Sequence, residues 1–225
     1  MSKVSVDKIE NPESMTPEEW KYFRKCEQIL RLLLDDLKQQ NRLKRLVEMP
    51  LNSPKIIETS QRFGEAYNMI VPIFREKGIM DKFVKHNKIF GFNEKDLPYL
   101  FASQLVGTMI TSTELIRNNL LTILKMKDGF SDVMGLGALL RRLEEVSPIY
   151  GKQLNDEIDS NLRNALAHGT FWIDGNHIYY CEDMRLINPK IIPLHKLMIR
   201  MKNANILSVC LFNLIIISAK QGFFR

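Results

Sequence analysis

Apolar residues recur along most of this 225-residue chain at intervals of three and four, the spacing of helices with one buried face. Residues 1 to 15 are polar and aperiodic and read as a loose arm. Thr16-Pro17-Glu18-Glu19 is a helix start, with a hydroxyl cap, proline at the first helical position and Glu three residues after the cap. Phe23, Leu30, Leu33, Leu34 and Leu37 then mark one apolar face, and the helix must end before Pro50. Ser53-Pro54 opens a second helix bearing Ile56, Ile57, Phe63, Met69 and Ile70, kinked or ended by Pro72. Residues 79 to 95 read as a short helix and a loop carrying the basic cluster Lys82, Lys85, His86 and Lys88.

Asp96-Leu97-Pro98 starts a long helix expected to reach about Lys127, with Leu100, Leu105, Met109, Leu115, Leu120 and Leu124 on its apolar side. Asp128-Gly129-Phe130 breaks the pattern. A further amphipathic helix begins at Gly135 and ends at Pro148. The next is expected from roughly Tyr150 to His168, stopped by Gly169, which suits the left-handed position after a helix. Thr170 to Tyr180 holds two aromatic, β-branched runs around Asp174-Gly175, a hairpin signal. The last helix runs from about Pro193 to Lys220. Its most apolar run, Ile206 to Ile217, is interrupted only by Ser208 and Asn213. That run is shorter than the roughly 20 residues of a membrane span, so it reads as a central bundle helix hidden on every side. The expected architecture is all-α, an up-and-down bundle over 96–225 with one small β-hairpin. Residues 1–95 are read as a helical extension packed on it, or as part of one continuous domain.

Composition adds two constraints. Hydrophobic residues make up 45% and charged residues 26%, the proportions of a soluble globular protein. Cys26, Cys181 and Cys210 lie far apart and show neither a disulfide framework nor metal-ligand spacing. With no signal-like apolar stretch at the N-terminus, a cytoplasmic protein with no membrane association is expected. The net charge of +6 is uneven: Met184 to Arg225 contains seven Lys/Arg and no acid, so the whole excess belongs to this segment. It points to an anionic partner, nucleic acid or an acidic protein face, or else to a solvated basic face.

The stretch with chemical potential is Asn161-Leu-Arg-Asn-Ala-Leu-Ala-His-Gly-Thr-Phe-Trp172. Asn164 and His168, four apart, nearly share a helix face. Arg163, rotated by about 140° from His168, must reach round with its long side chain. Guanidinium grips phosphate with two donors, and imidazole moves protons near neutral pH. Together they suit phosphodiester cleavage in RNA, where a 2′-hydroxyl must lose a proton, a leaving oxygen must gain one, and the phosphorus centre needs positive charge. One such His per chain leaves one proton-transfer role open, which a two-fold dimer would fill. The bland alternative is that His168 merely ends the helix and Arg163 is a surface charge.

Other groups are weaker. Glu114 and Arg117 form an i,i+3 pair on the long helix, worth about 0.2–0.5 kcal/mol as a surface contact. His86 belongs to a solvated basic turn, His177 to a strand end, and His195 to the very start of the last helix. No two histidines have convincing metal spacing. Gly135-Leu-Gly137 lacks the lysine and preceding strand of a phosphate loop, and no cofactor motif is visible. Phe171, Trp172, Tyr179 and Tyr180 either stack on bases or, the favoured reading, seal the hairpin against the bundle.

Leu162-Arg-Asn-Ala-Leu-Ala-His-Gly169 resembles the signature of the HEPN superfamily (higher eukaryotes and prokaryotes nucleotide-binding domain). Its active members are helical bundles with Arg, a polar residue, and His four to six positions after the Arg. The resemblance covers residues 96 to 225. It implies a dimeric, metal-independent endoribonuclease that needs no cofactor, often a toxin or defence component silenced by an inhibitory partner protein. Carried over by position, it makes Arg163 and His168 catalytic and Asn164 supporting, with Glu114 and Arg117 as an outer supporting shell. The hairpin looks like an insertion relative to the simplest bundles. Some relatives lack activity, so a helical module that binds nucleic acid or protein stays open as the alternative. A third possibility is a structural subunit that oligomerises through its apolar helices.

Overall fold

The computed structural model describes residues 15–45, 97–181 and 187–224. The helix expected from Ser53 to Pro72 and the cluster containing His86 lie outside the described residues. The chain divides into two compact units, residues 1–46 with 102–225, and residues 47–101. Apart from residues 97–101 at the start of one long helix, every described element belongs to the first unit.

Helix α1, Pro17–Gln39, begins with the expected capping box. The Glu19 amide donates to Thr16 Oγ1 at 3.2 Å, and the Thr16 amide donates to Glu19 Oε2 at 2.8 Å. Phe23, Cys26, Leu30, Leu33 and Leu37 are buried along one stripe. After α1 the chain turns at Asn41, whose φ of 57° is of the left-handed kind that Asn tolerates. Leu43 then bridges Leu124 in antiparallel fashion, with Lys44 N–Ile123 O at 2.7 Å and Lys125 N–Arg42 O at 2.8 Å.

That bridge sets where the next helix ends. Helix α2, Leu97–Ile123, stops before the expected Lys127 because the backbone at Leu124 and Lys125 pairs with the segment after α1. Its buried face runs through Leu105, Met109, Thr113, Ile116, Leu120 and Ile123, while Leu115 is 36% exposed. Two adjacent apolar residues, Leu115 and Ile116, are rotated by about 100°, so the face can hold only one of them. Thr113 satisfies its hydroxyl on the Met109 carbonyl at 2.9 Å, which lets a polar side chain sit in the core.

Helices α3, Leu136–Val146, and α4, Pro148–Glu157, form a tight hairpin joined by Ser147. Pro148 both ends α3 and opens α4. Ser147 is fully buried and its hydroxyl donates to the Asp36 carboxylate of α1, which docks this hairpin on α1. The helices approach so closely at Gly151 that a Cβ there would fall on the Leu143 carbonyl and within 2.7 Å of the Glu144 nitrogen.

The single helix expected from Tyr150 to His168 is two. Ile158 adopts extended backbone, φ −116° and ψ 109°, and buries its side chain. Asp159 then caps a new helix, α5, Ser160–His168, by accepting from the Leu162 amide at 2.9 Å. Strands β1, Phe171–Asp174, and β2, His177–Tyr180, form the expected hairpin, although Asp174 pairs with His177, so the turn itself is Gly175-Asn176. Only Gly175 has positive φ (54°), the sign pattern of a II′ turn. A third strand, β3, Lys190–Pro193, pairs antiparallel with β2 and extends the hairpin to the sheet β1-β2-β3. The molecule is therefore mostly helical, with a small three-stranded antiparallel sheet.

Helix α6, Leu194–Lys220, packs against α1. Between Ile206 and Ile217 all residues except Val209 are buried or half-buried, so the helix is central without being hidden on every side. Taken over its full 27 residues it is long and apolar enough to cross a membrane, with mean hydropathy 1.5 over its most apolar window, which the 12-residue run concealed. In this structure 56% of that window is buried by protein, the position of a core helix.

The α3–α4 contact gives a direct stability test. Gly151→Ala is expected to destabilise by about 1–3 kcal/mol, because rigid backbone must move. Gly107→Ala, exposed and with open space around it, should instead stabilise by about 0.5–1 kcal/mol. Urea unfolding midpoints of the two variants check both signs.

Candidate functional site

Helix α5 is short and is fixed at both ends. At its start Asp159 caps the first turn and pairs with Arg200 of α6. At its end Gly169 takes φ 71° and ψ 19°, and the amides of Gly169 and Thr170 both donate to the Ala165 carbonyl. Thr170 Oγ1 donates to the Cys181 carbonyl at 2.8 Å, and the Cys181 amide returns a bond to Thr170 O at 2.9 Å. The base of the sheet is thereby tied to the helix stop. Leu162, Ala165 and Leu166 are buried, which sets the rotation of the helix and so the directions of Arg163, Asn164 and His168.

Arg163 turns inward. Its side chain is only 13% exposed; Nη2 pairs with the Glu114 carboxylate of α2, and Nη1 donates to Asn164 Oδ1 at 3.1 Å. Its Nε is buried and has no hydrogen-bond partner among the described residues. Burial pulls the guanidinium below its ordinary pKa, and as an arginine it remains a cation. Glu114 also lies 3.7 Å from Arg117. Arg117 donates Nε to the Met134 carbonyl at 2.5 Å, Nη2 to Asp132 O at 3.1 Å and Nη1 to Asn118 Oδ1 at 3.0 Å. Glu114 and Arg117 are thus more than a surface pair. The carboxylate grips the motif arginine, and the second guanidinium anchors the loop leading into α3.

The structure brings Arg163, Asn164, Glu114 and Arg117 into one network on α2 and α5. His168 stands apart at the end of α5, exposed and with no hydrogen bond or ion pair among the described residues. His177 and His195 are exposed as well, His177 at the start of β2 and His195 in the first turn of α6. Among the described residues, no three His, Cys, Asp or Glu side chains are grouped so as to hold a metal ion.

The four aromatic residues of the hairpin split by face. Tyr180 is 6% exposed on the inner side, opposite Phe171, whereas Trp172 is 39% exposed and stacks on Tyr179 with centroids 5.2 Å apart. Ile191 continues this outer row across β3. Part of the basic C-terminal excess is consumed internally, with Arg200 on Asp159 and Lys202 on Glu19 at 2.7 Å. An open cleft of about 390 Å³ beside the start of α5 is lined by Met109, Thr113, Glu157, Asp159, Arg200 and Asn203. Sequence reasoning missed it, because its walls come from three distant segments with no shared local pattern.

No family model, curated protein or solved structure matches this chain.

Arg117→Ala removes the donors that fix the Asp132 and Met134 carbonyls. Amide hydrogen exchange across residues 131–136 is expected to quicken, with the β1–β2 amides unchanged; uniform quickening throughout would place Arg117 in global stability instead.

Proposed function

We propose that this chain is a metal-independent endoribonuclease of the HEPN type, acting in the cytoplasm as a homodimer. The observation that carries the reading is the holding of Arg163 by Glu114 and Asn164 on the same short helix that ends in an exposed His168 and a left-handed Gly169. A cation positioned by a carboxylate and an amide costs little reorganisation when charge develops on a phosphoryl oxygen. Glu114 and Asn164 occupy two of the five N–H donors of Arg163.

In the proposed reaction one imidazole takes the proton of an RNA 2′-hydroxyl. The 2′-oxygen forms a bond to phosphorus, the bond to the 5′-oxygen breaks, and a second imidazole protonates that oxygen. The products are a 2′,3′-cyclic phosphate and a 5′-hydroxyl. Each chain offers one motif histidine, so two copies of the chain meeting at a two-fold axis provide both proton-transfer groups. Arg163 contributes charge and Asn164 keeps it aligned, which leaves no step that requires a metal. An unchecked ribonuclease would harm its own cell, which fits a toxin or defence component held by an inhibitory protein.

A second reading has its own support. The outer row of exposed Trp172 and Ile191 with half-buried Tyr179 between them is a ready contact surface and fits a non-catalytic module that binds nucleic acid or protein. Under that reading His168 is dispensable.

Incubating the protein with mixed RNAs in EDTA separates the two. Cleavage leaving cyclic phosphate ends is expected, reduced by at least about 100-fold in His168→Ala and in Arg163→Ala. Glu114→Ala should retain part of the activity. Intact RNA with all proteins, at concentrations where the dimer is confirmed, favours the binding module.

A further inference from the structure

The first turn of α3 borders the motif helix in a way the proposed chemistry does not use. Gly137 has no side chain, and the point where its Cβ would stand lies 3.8 Å from Asn164 Nδ2 and 3.9 Å from Arg141 Nη1. The third near atom is Ser160 Cβ at 3.9 Å. Asn164 Oδ1 is occupied by Arg163 Nη1, which fixes the amide so that its NH₂ end faces this spot. Two donor groups therefore lie around one half-buried point on α3 where no side chain intervenes, and none of the three nearest atoms is an acceptor.

Arg141 differs from its neighbours in a second respect. Arg117 is spent on loop carbonyls, Arg142 on the Asp128 carbonyl and Glu145, Arg163 on Glu114, and Arg200 on Asp159. Arg141 is exposed and has no ion pair or hydrogen bond among the described residues. Gly137 also lies in the first turn of α3, an 11-residue helix whose Gly135 cap supplies no side-chain hydrogen bond. Free backbone amides there add positive potential to a site that already has a guanidinium and an amide.

We infer that Arg141 and Asn164 Nδ2, on either side of the side-chain-free Gly137, bind an RNA backbone phosphate next to the one being cleaved. The inference rests on the ribonuclease reading for the identity of the strand, and it extends the site from α5 onto α3. Asn164 then faces two ways, accepting from Arg163 and donating to the neighbouring phosphate. Arg141 is a substrate-binding residue in this scheme and moves no proton.

The test measures binding separately from cleavage. A short fluorescein-labelled single strand of 2′-O-methyl RNA lacks the nucleophile and stays intact, so fluorescence polarisation reports affinity for the full chain. Arg141→Ala should weaken binding by about 5- to 10-fold, and Arg141→Gln should do the same. Between about 50 and 200 mM salt the slope of log K against log salt should become shallower by about 0.7, the loss of one phosphate contact on a single strand. Lys152→Ala, an equal loss of exposed charge on α4, should change neither quantity. Unchanged affinity and slope in the Arg141 variants, the same change in Lys152→Ala, or no binding by the wild type would each overturn the inference. Cleavage of unmodified RNA is read in parallel. Its absence together with Arg141-dependent binding would sink the ribonuclease reading, and with it the place beside a cleaved phosphate, while leaving the phosphate contact of Arg141 standing. Cleavage with Arg141-independent binding would do the reverse.

Discussion

The pairing of Glu114 with Arg163 is the constraint on which the site depends. A guanidinium that is 13% exposed cannot stay without a counter-charge, and the nearest carboxylate stands on a different helix. Satisfying it fixes the spacing and rotation of α5 against α2. The same carboxylate faces Arg117, whose other donors hold the loop into α3. One acid thus orients three segments. Asn164 lies between them, taking its direction from Arg163 and presenting its amide toward Gly137.

The elements around this network explain why α5 can be so short. Nine residues make a marginal helix on their own. Here the Asp159 cap, the left-handed Gly169 and the Thr170–Cys181 bonds fix its ends, and Leu162, Ala165 and Leu166 bury its inner face. His168 is consequently carried to solvent at a defined place, where a second chain or a substrate can reach it. The sheet after α5 divides its aromatic residues, burying Tyr180 and leaving Trp172 and Tyr179 stacked outside.

Much of this is legible from local patterns. The Thr16 capping box, the Gly169 stop, the β1–β2 hairpin and the last helix are each specified within a few residues, and each stands where the local pattern puts it, the hairpin turn alone shifted by one residue to Gly175-Asn176. The failures share a cause. The break at Ile158, the early end of α2 at Ile123 and the strand β3 all depend on partners distant in the chain. Leu115 and Ile116 are equally apolar neighbours, so periodicity alone puts Leu115 in the core, and only packing selects Ile116. In the same way the spacing of Glu114 and Arg117 gives an i,i+3 pair, but no local pattern connects Glu114 to Arg163.

The decisive measurement is a double-mutant cycle on unfolding free energy, with Glu114→Gln, Arg163→Met and their combination. A coupling of about 1–3 kcal/mol is expected, since either single change strands a half-buried group that the double change removes. Additivity within about 0.3–0.5 kcal/mol would mean that the two residues fold independently, and the positioning of Arg163 by Glu114 would have to be abandoned.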